Sequence, residues 1–319
     1  MAPVFGAISQ MDVGVVVNIQ ILFILFIIGI IKSIYGFVLN DYIDIEIDRL
    51  SKESEKRPLV TGTISPKNAL TICILCVIIT FLFAFLFFYN DSSFFIYALV
   101  TIGFAAVIGT IYNVYGKKFV GSDLFAASAD ALFVLVGAFL VTKNNMISIF
   151  TWIVFLLYFA QIFFMNAVVG GIKDSDHDYK FGVRNIAYRI GVRMSKKNQL
   201  NIPFGFKFFA FSIRFFSSVL IFIPMVFFDK LYPIYQIIIL LLLVFVTLLY
   251  TIKLLNTKIF DDSAMKLLSV QGILRYMFVP LMLLSVIGIV YSFLLILVPI
   301  LWYIFFIALM NRKAFHNMT

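Results

Sequence analysis

The sequence predicts an all-α membrane protein, a polytopic bundle of about nine spanning helices that forms one domain over residues 1–319. Hydrophobic residues make up 63% of the chain and charged residues only 13%, and the mean hydropathy is +1.06. Several runs of about 20 residues carry no charge, which is the length that crosses a hydrocarbon core about 30 Å thick. This composition leaves too little polar surface for a water-soluble protein.

Six stretches of the chain are long, apolar and almost free of charge: 14–39, 68–89, 94–115, 124–142, 146–172 and 234–252. Two of them contain a single charged residue, Lys32 in the first and Asp130 in the fourth. The stretch 205–228 predicts a seventh span. Its Lys207 and Arg214 have long side chains, which we expect to reach the lipid headgroups.

The two ends of the chain need separate arguments. From Tyr276 to Asn311 the sequence has 36 residues without a charge, which as one helix would extend about 54 Å. Because that is too long for one crossing, we predict two spans, 269–289 and 291–311, with a turn near Gly288. Residues 1–12 are too short to span and have no basic region, so they look like an incomplete first helix.

Basic residues fall mostly on one side of the predicted membrane. Of the 25 lysines and arginines, 18 lie in four segments: 41–67, 115–122, 172–204 and 253–275. The positive-inside rule places this side in the cytoplasm, which predicts a cell (plasma) membrane protein with its active site facing the cytoplasm. The same side holds nine of the 16 acidic residues, within 41–55 and 174–178. Topology does not require these acids, so we expect a ligand there.

The first acidic group lies where the first long span meets the cytoplasm. On a helix with 100° per residue, four polar side chains share a face about 100° wide: Asn40, Asp41, Asp44 and Asp48. Glu46 points away from that face. A helix end that is merely solvated has no reason to gather its aspartates on one side. This pattern therefore indicates a binding face.

A second acidic group ends the span 146–172 and repeats the pattern. Asp174 and Asp178 are four residues apart and share a helix face, while Asp176 lies on the far side. Carboxylates this close repel one another unless cations are bound, and Mg²⁺ characteristically links carboxylates to substrate phosphates. Two Mg²⁺ ions and one diphosphate would leave excess negative charge. Four cationic residues at the same boundary are candidates to offset it: Arg57, Lys117, Lys118 and Lys173.

These motifs resemble those of the UbiA family of intramembrane prenyltransferases, of an archaeal type, and they do not assign a subfamily. The segment from Asn40 to Asp48, followed by Arg57-Pro58-Leu59 and Gly62, resembles the family's NDxxDxxxD signature and the RPLxxG that follows it. Lys173-Asp174-x-x-x-Asp178 with Gly182 is similar to its KDxxxDxxxG motif. The segment 112–118, YNVYGKK, resembles the family's loop with a tyrosine and lysines.

The resemblance implies a helical bundle around a central cavity with a cytoplasmic cap. It further implies Mg²⁺-dependent transfer of a polyprenyl group, geranylgeranyl or similar, from its diphosphate to a lipophilic acceptor such as a glyceryl ether lipid or a quinone precursor. Asn40, Asp41, Asp44 and Asp48 would bind one metal, and Asp174 and Asp178 the second. Lys117 or Lys118 would bind the diphosphate, and Tyr112 would lie near the reacting carbon.

Several alternatives stay open at this point. Lys32 could reach the diphosphate or pair with an aspartate, and Asp130 could accept a proton or form a structural hydrogen bond. The loop 49–67 could close over the diphosphate and bring Arg57 to it. A membrane transporter with acidic cation sites is the competing function, although ion pathways place their acids near the bilayer midplane. We expect surrounding membrane lipids and no nucleic-acid partner.

Overall fold

The computed structural model is an almost entirely helical bundle. The described residues are 1–49, 57–116, 118–143, 146–175, 183–195, 198–227 and 232–316. The first seven helices and a short eighth are α1 Ala2–Ser9, α2 Ile19–Ile43, α3 Ile45–Asp48, α4 Pro66–Phe88, α5 Phe95–Tyr115, α6 Asp123–Val141, α7 Ile149–Phe163 and α8 Gly171–Lys173. The remaining helices are α9 Ile186–Ile190, α10 Phe204–Phe227, α11 Ile234–Leu255, α12 Asp262–Met282 and α13 Leu284–His316. A π-helix, Phe164–Gly170, joins α7 to α8.

Within the described ranges, eight helical stretches are long and apolar enough to cross a membrane. Six of them correspond to the six nearly charge-free stretches of the sequence, and a seventh corresponds to the predicted span 205–228. The eighth is the first part of α13. The prediction of a polytopic all-α membrane protein is therefore confirmed. Local caps set several boundaries. The first span begins at Ile19 because the Asn18 side chain accepts a hydrogen bond of 2.9 Å from the Ile21 N–H. It extends to Ile43.

The predicted division of the C-terminal region is confirmed at Gly288, whose φ of +79° and ψ of 169° are non-helical and separate two helical parts of α13. A second, milder break at Leu283 separates α12 from α13. Helix α12 begins earlier than predicted because the Asp261 carboxylate accepts hydrogen bonds of 3.0 Å from the N–H groups of Ser263 and Ala264.

The N-terminal segment, predicted to be an incomplete helix over 1–12, is a short helix that is entirely buried. It packs against α6 at two glycines where the backbones almost touch. A Cβ atom at Gly6 would lie 1.7 Å from the Val134 carbonyl oxygen, and one at Gly137 would lie 1.8 Å from the Pro3 carbonyl oxygen. Small residues permit such close contact between helices in membranes.

Arg214 corrects the expectation that both basic residues of the seventh span reach the headgroups. Its side chain is 2% exposed, and the guanidinium donates hydrogen bonds to Gln161 Oε1 at 2.9 Å and Gln271 Oε1 at 2.5 Å. The guanidinium carbon also lies 3.5 Å from the centroid of the Phe164 ring. Lys207 is partly exposed and donates to Asn256. A buried arginine thus joins α7, α10 and α12 inside the bundle.

The connection between α9 and α10 forms a small folded unit at the end of the bundle that carries the acidic motifs. A short antiparallel hairpin, Arg193–Met194 with Leu200–Asn201, follows α9 at this end. The Leu200 N–H donates to the Lys258 carbonyl at 2.8 Å, which joins this hairpin to the connection between α11 and α12. At the opposite end, Lys143 and Asp91 form an exposed ion pair at 3.4 Å. The motif end therefore carries a small folded cap.

The contact between α1 and α6 yields the first prediction. Substitution Gly6→Ala places a methyl group against the Val134 carbonyl and forces the helices apart, so we expect a loss of about 2 kcal/mol or more in stability. Thermal unfolding in detergent measures the effect. Gly103→Ala is the matched control, because its Cβ would meet only the Phe81 ring at 3.8 Å. Equal melting temperatures for the two variants would contradict the packing argument.

Candidate active site

Two adjoining cavities occupy the motif end of the bundle and share a wall. The first, here called the polar cavity, has a volume of about 160 Å³ and is defined by Asn40, Ser122, Asp123, Asn166, Asp174 and Asn185. The second, here called the chamber, has a volume of about 310 Å³ and is defined by Lys32, Val77, Ile102, Ala106, Asp130 and Phe133. Asn40, Tyr112, Asn113 and Asn166 line both. A polar space thus opens directly onto a mostly apolar one.

Local structure explains how side chains from separate helices reach the polar cavity. Asn40 lies near the end of α2, and its amide nitrogen donates to Asn113 Oδ1 on α5 at 3.3 Å. Asn166 lies on the π-helix, whose wider turn changes the direction of the side chains that follow α7. Asn185 caps α9 by accepting a hydrogen bond of 2.7 Å from the Tyr188 N–H. Each contributor therefore sits at a helix end or irregularity.

The first acidic motif spans a break in the helix and not one continuous helix as expected. Helix α2 ends at Ile43, Asp44 has φ of −88° and ψ of 0°, and α3 follows. The helical hydrogen-bond pattern nevertheless continues, since the Asp44 N–H donates to the Asn40 carbonyl at 3.0 Å and the Asp48 N–H to the Asp44 carbonyl at 2.8 Å. The shared face is retained because the break leaves the turn almost intact.

Arg57 bridges two carboxylates of this motif. Its Nη1 atom lies 2.9 Å from Asp41 Oδ1 and 2.6 Å from Asp48 Oδ2. Asp44 is buried and interacts electrostatically with Asp41. Among the described residues of the motif, Asn40 is the one that lines the polar cavity. Glu46 points away, exposed, and pairs with Arg49 at 3.0 Å. The three aspartates therefore form a cluster beside the cavity.

The second acidic motif is only partly described. Asp174 follows α8 and lines the polar cavity together with Asn40, so the two motifs converge. Asp178 and Lys117 lie outside the described residues, as do 50–56 of the loop that carries Arg57. Lys118 is exposed, with Nζ 5.3 Å from the centroid of the Tyr115 ring, and Lys173 is exposed as well. Neither of these lysines lines the polar cavity.

Sequence reasoning missed several residues of the polar cavity. These residues are Asn113, Ser122, Asp123, Asn166 and Asn185. Pairs of like charges are visible in a sequence, whereas most of these side chains are neutral and stand alone in it. A signal existed for two of them. Asp123 directly precedes the predicted span 124–142, and Asn166 is one of two amides within the span 146–172.

Lys32 and Asp130 form an ion pair on the chamber wall. Lys32 Nζ contacts Asp130 Oδ1, and the two side chains retain 20% and 34% of their exposure. Lys32 Nζ also lies 5.7 Å from the centroid of the Phe133 ring. Of the two alternatives left open for Lys32, the structure displays the pairing with an aspartate. The single charged residues of the spans 14–39 and 124–142 thus pair with each other within the bundle.

The donor set of the polar cavity suits a hard cation. Its coordinating groups are carboxylate and amide oxygens, which are the ligands that Mg²⁺ accepts. Among the residues that the structure describes, no three His, Cys, Asp or Glu side chains come together as a metal cage. Mg²⁺ bound through one or two carboxylates and substrate phosphates needs no such cage. The residues present therefore fit a Mg²⁺ site of that kind.

The sequence model of the UbiA prenyltransferase family matches residues 1–258. The chain belongs to the UbiA prenyltransferase family. The resemblance indicated by the two aspartate motifs is thereby confirmed. The digeranylgeranylglyceryl phosphate synthase of Saccharolobus solfataricus is 30% identical over 171 residues, 53% of this chain and 56% of that protein. The 4-hydroxybenzoate octaprenyltransferase of Pseudoalteromonas translucida is 27% identical over 172 residues, 53% of this chain and 55% of that protein.

The chain spans about half the length of the curated relatives it matches. Solved structures of UbiA proteins share its fold over more of the chain. A digeranylgeranylglyceryl phosphate synthase superposes with a TM-score of 0.65 at 21% identity, over 90% of this chain and 94% of that one. A UbiA homologue from Archaeoglobus fulgidus bound to GPP and Mg²⁺ has a TM-score of 0.58 at 18% identity, over 90% and 97%. The bundle is therefore the UbiA fold.

The pair in the chamber yields the second prediction. Replacing Lys32 by Met leaves the Asp130 charge unpaired, and replacing Asp130 by Asn leaves the Lys32 charge unpaired. Each single variant should therefore lose about 2 kcal/mol in stability, which is less than the loss on breaking a fully buried pair. The double variant loses less than the sum of the two. A double-mutant cycle of unfolding in detergent measures the coupling. The exposed pair of Lys143 and Asp91 is the control and should couple by less than about 1 kcal/mol.

Proposed function

We propose that this protein is a Mg²⁺-dependent polyprenyltransferase that moves an isoprenoid chain from its diphosphate to a lipophilic acceptor. The observation that carries the proposal is the direct junction between the polar cavity and the chamber. A prenyl diphosphate has one highly charged end and one apolar tail, and its reacting carbon lies between them. The four residues that line both cavities surround the position that this carbon would occupy.

Asn40, Asp174 and the cluster of Asp41, Asp44 and Asp48 are the groups that would hold Mg²⁺. Asp178, beyond the described residues, belongs to the same proposed set. Bound Mg²⁺ would neutralise the charge that develops on the leaving diphosphate. The transfer breaks the bond between the allylic carbon and the diphosphate oxygen, which keeps the electron pair. A new bond then forms from a nucleophilic atom of the acceptor, which loses its proton.

Chain residues at the junction would orient and protect the allylic carbon. Tyr112 lines both cavities, and the electron-rich face of its ring suits a developing positive charge. The apolar wall of the chamber excludes water that would otherwise capture the cation. Phe37 lines the chamber although its side chain is 75% exposed, so the chamber reaches the outer surface of the bundle there. A long isoprenoid tail could continue along that opening into lipid.

We further propose a geranylgeranyl or similar chain as the donor, and a glyceryl ether lipid or a quinone precursor as the acceptor. The names of the relatives, which include a digeranylgeranylglyceryl phosphate synthase and a 4-hydroxybenzoate octaprenyltransferase, support these two acceptor classes. The excess of basic residues at the motif end supports an active site that faces the cytoplasm from the plasma membrane. Lys117, Lys118 and Lys173 are proposed to steer or bind the diphosphate from this end.

A direct assay tests the proposed function. Purified protein with geranylgeranyl diphosphate, Mg²⁺ and either extracted membrane lipids or 4-hydroxybenzoate should release diphosphate and form a prenylated product detectable by mass spectrometry. EDTA should abolish both. Asp174→Asn should lower turnover by about 100-fold or more, because it weakens binding of the cation that stabilises the leaving group. Glu46→Gln, at an exposed position, should leave turnover unchanged. Absence of any prenylated product with both acceptor classes would overturn the proposal.

Arg57 gives a prediction that separates two roles. In the structure its one positive charge is shared between Asp41 and Asp48, and with substrate bound we propose that it turns to the diphosphate. Arg57→Gln should therefore raise the KM for geranylgeranyl diphosphate about tenfold, the value of one charge-assisted hydrogen bond, while Arg57→Lys should raise it less. Steady-state kinetics measure this effect, with Arg49→Gln as the exposed control. An unchanged KM in Arg57→Gln would restrict Arg57 to holding the aspartates.

A further inference from the structure

Asp123 is a buried carboxylate in the polar cavity that neither acidic motif contains. It is the first residue of α6, it lines the polar cavity, and its side chain is only 7% exposed. The backbone N–H of Ile186 interacts with this carboxylate, which joins α6 to the start of α9. The second oxygen, Oδ2, is buried and has no hydrogen-bond partner. The carboxylate therefore interacts with the backbone of the fold, whereas its Oδ2 atom has no hydrogen-bond partner.

A structural role alone does not account for this second oxygen. A carboxylate at the start of a helix gains from the helix dipole, and one hydrogen bond to a backbone N–H is enough for that purpose. An unpartnered charged oxygen in a buried site costs free energy unless a cation or donor meets it. Asp123 forms no ion pair with any residue within the described part of the chain. The described residues that line the cavity include no lysine, arginine or histidine.

The neighbours of Asp123 in the cavity are oxygen donors of the kind that a divalent cation accepts. Asp174 contributes a second carboxylate, and Asn40 and Asn166 contribute amides. The amide nitrogen of Asn40 donates to Asn113, which leaves its carbonyl oxygen available for the cavity. Ser122, next to Asp123, donates its hydroxyl to the Gly116 carbonyl at 2.7 Å. The lining therefore presents oxygens from three or more separate helices around one small space.

We infer that Asp123 is a metal-binding residue of this enzyme, holding a divalent cation in the polar cavity together with Asp174. The inference rests on the proposed function and adds to it a ligand outside both aspartate motifs. It also gives the cavity a property of its own. The aspartates beside it, Asp41 and Asp48, share the positive charge of Arg57, whereas Oδ2 of Asp123 is buried without a hydrogen-bond partner before any diphosphate arrives. The polar cavity therefore takes up a cation without substrate.

The test is binding of Mn²⁺ alone to the purified full-length chain in detergent, without prenyl diphosphate. Titration followed by electron paramagnetic resonance or calorimetry should find a site in the parent protein. Asp123→Asn should weaken the dissociation constant at least tenfold, because it removes the charge and keeps the shape. Thermal unfolding in EDTA should find this variant as stable as the parent or more stable, since an uncompensated buried carboxylate is gone. The rise in melting temperature on adding Mn²⁺ should shrink accordingly.

Two further variants serve as controls. Asp123→Ser keeps a small polar side chain at the first position of α6 and should lose Mn²⁺ affinity in the same way. Glu46→Gln makes the same carboxylate-to-amide change at an exposed position and should bind Mn²⁺ as the parent does. Parent-like Mn²⁺ affinity in Asp123→Asn, or no Mn²⁺ binding by the parent without diphosphate, overturns this inference. Mg²⁺-dependent prenyl transfer by the parent in the same preparation would then leave the proposed function standing.

Discussion

The absence of water in the hydrocarbon core governs this structure, because every polar group inside the bundle must find its partner within the protein. Three solutions are visible at different depths. Lys32 pairs with Asp130 on the chamber wall. Arg214 donates to two glutamines. Near the opposite end of the bundle, the hydroxyls of Ser9 and Thr151 lie 2.7 Å apart and Gln10 donates to Thr151 at 3.0 Å. Each cluster joins helices that lipid alone would not hold in register.

The same constraint explains why the polar cavity lies at one end of the bundle. Its side chains come from places where the helical hydrogen-bond pattern ends or changes, namely the end of α2, the start of α6, the π-helix and the cap of α9. Backbone groups and polar side chains are available together at such places, whereas the helix interiors expose apolar residues to lipid. Close packing helps, since a Cβ atom at Gly171 would lie 2.5 Å from Ala187 Cβ. The start of α9, next to the cavity-lining Asn185, is thereby held closely against α8.

Much of the fold could be predicted because charge-free runs of about 20 residues have one stable outcome in a bilayer. Boundaries set by a side-chain cap, such as those at Asn18 and Asp261, were less accessible, because capping depends on a local backbone geometry that composition does not reveal. The acidic motifs indicated the family and the end of the bundle where the site lies. The neutral lining of the site and Asp123 were missed, since a lone polar residue gains meaning only from the neighbours that the fold brings to it.

Arg214 illustrates what such neighbours can do. On hydropathy alone its long side chain should reach the headgroups, yet its guanidinium lies against the Phe164 ring and donates to Gln161 and Gln271. Phe164 is the first residue of the π-helix, and Asn166, two residues later, lines both the polar cavity and the chamber. The buried arginine therefore contacts the π-helix that carries Asn166, a residue of the wall of both cavities. The ion pair of Lys32 and Asp130 lies on the chamber wall. Because π-helical turns have weaker geometry than α-helical ones, this polar support on one side is a physical reason why the irregular turn can persist inside a membrane.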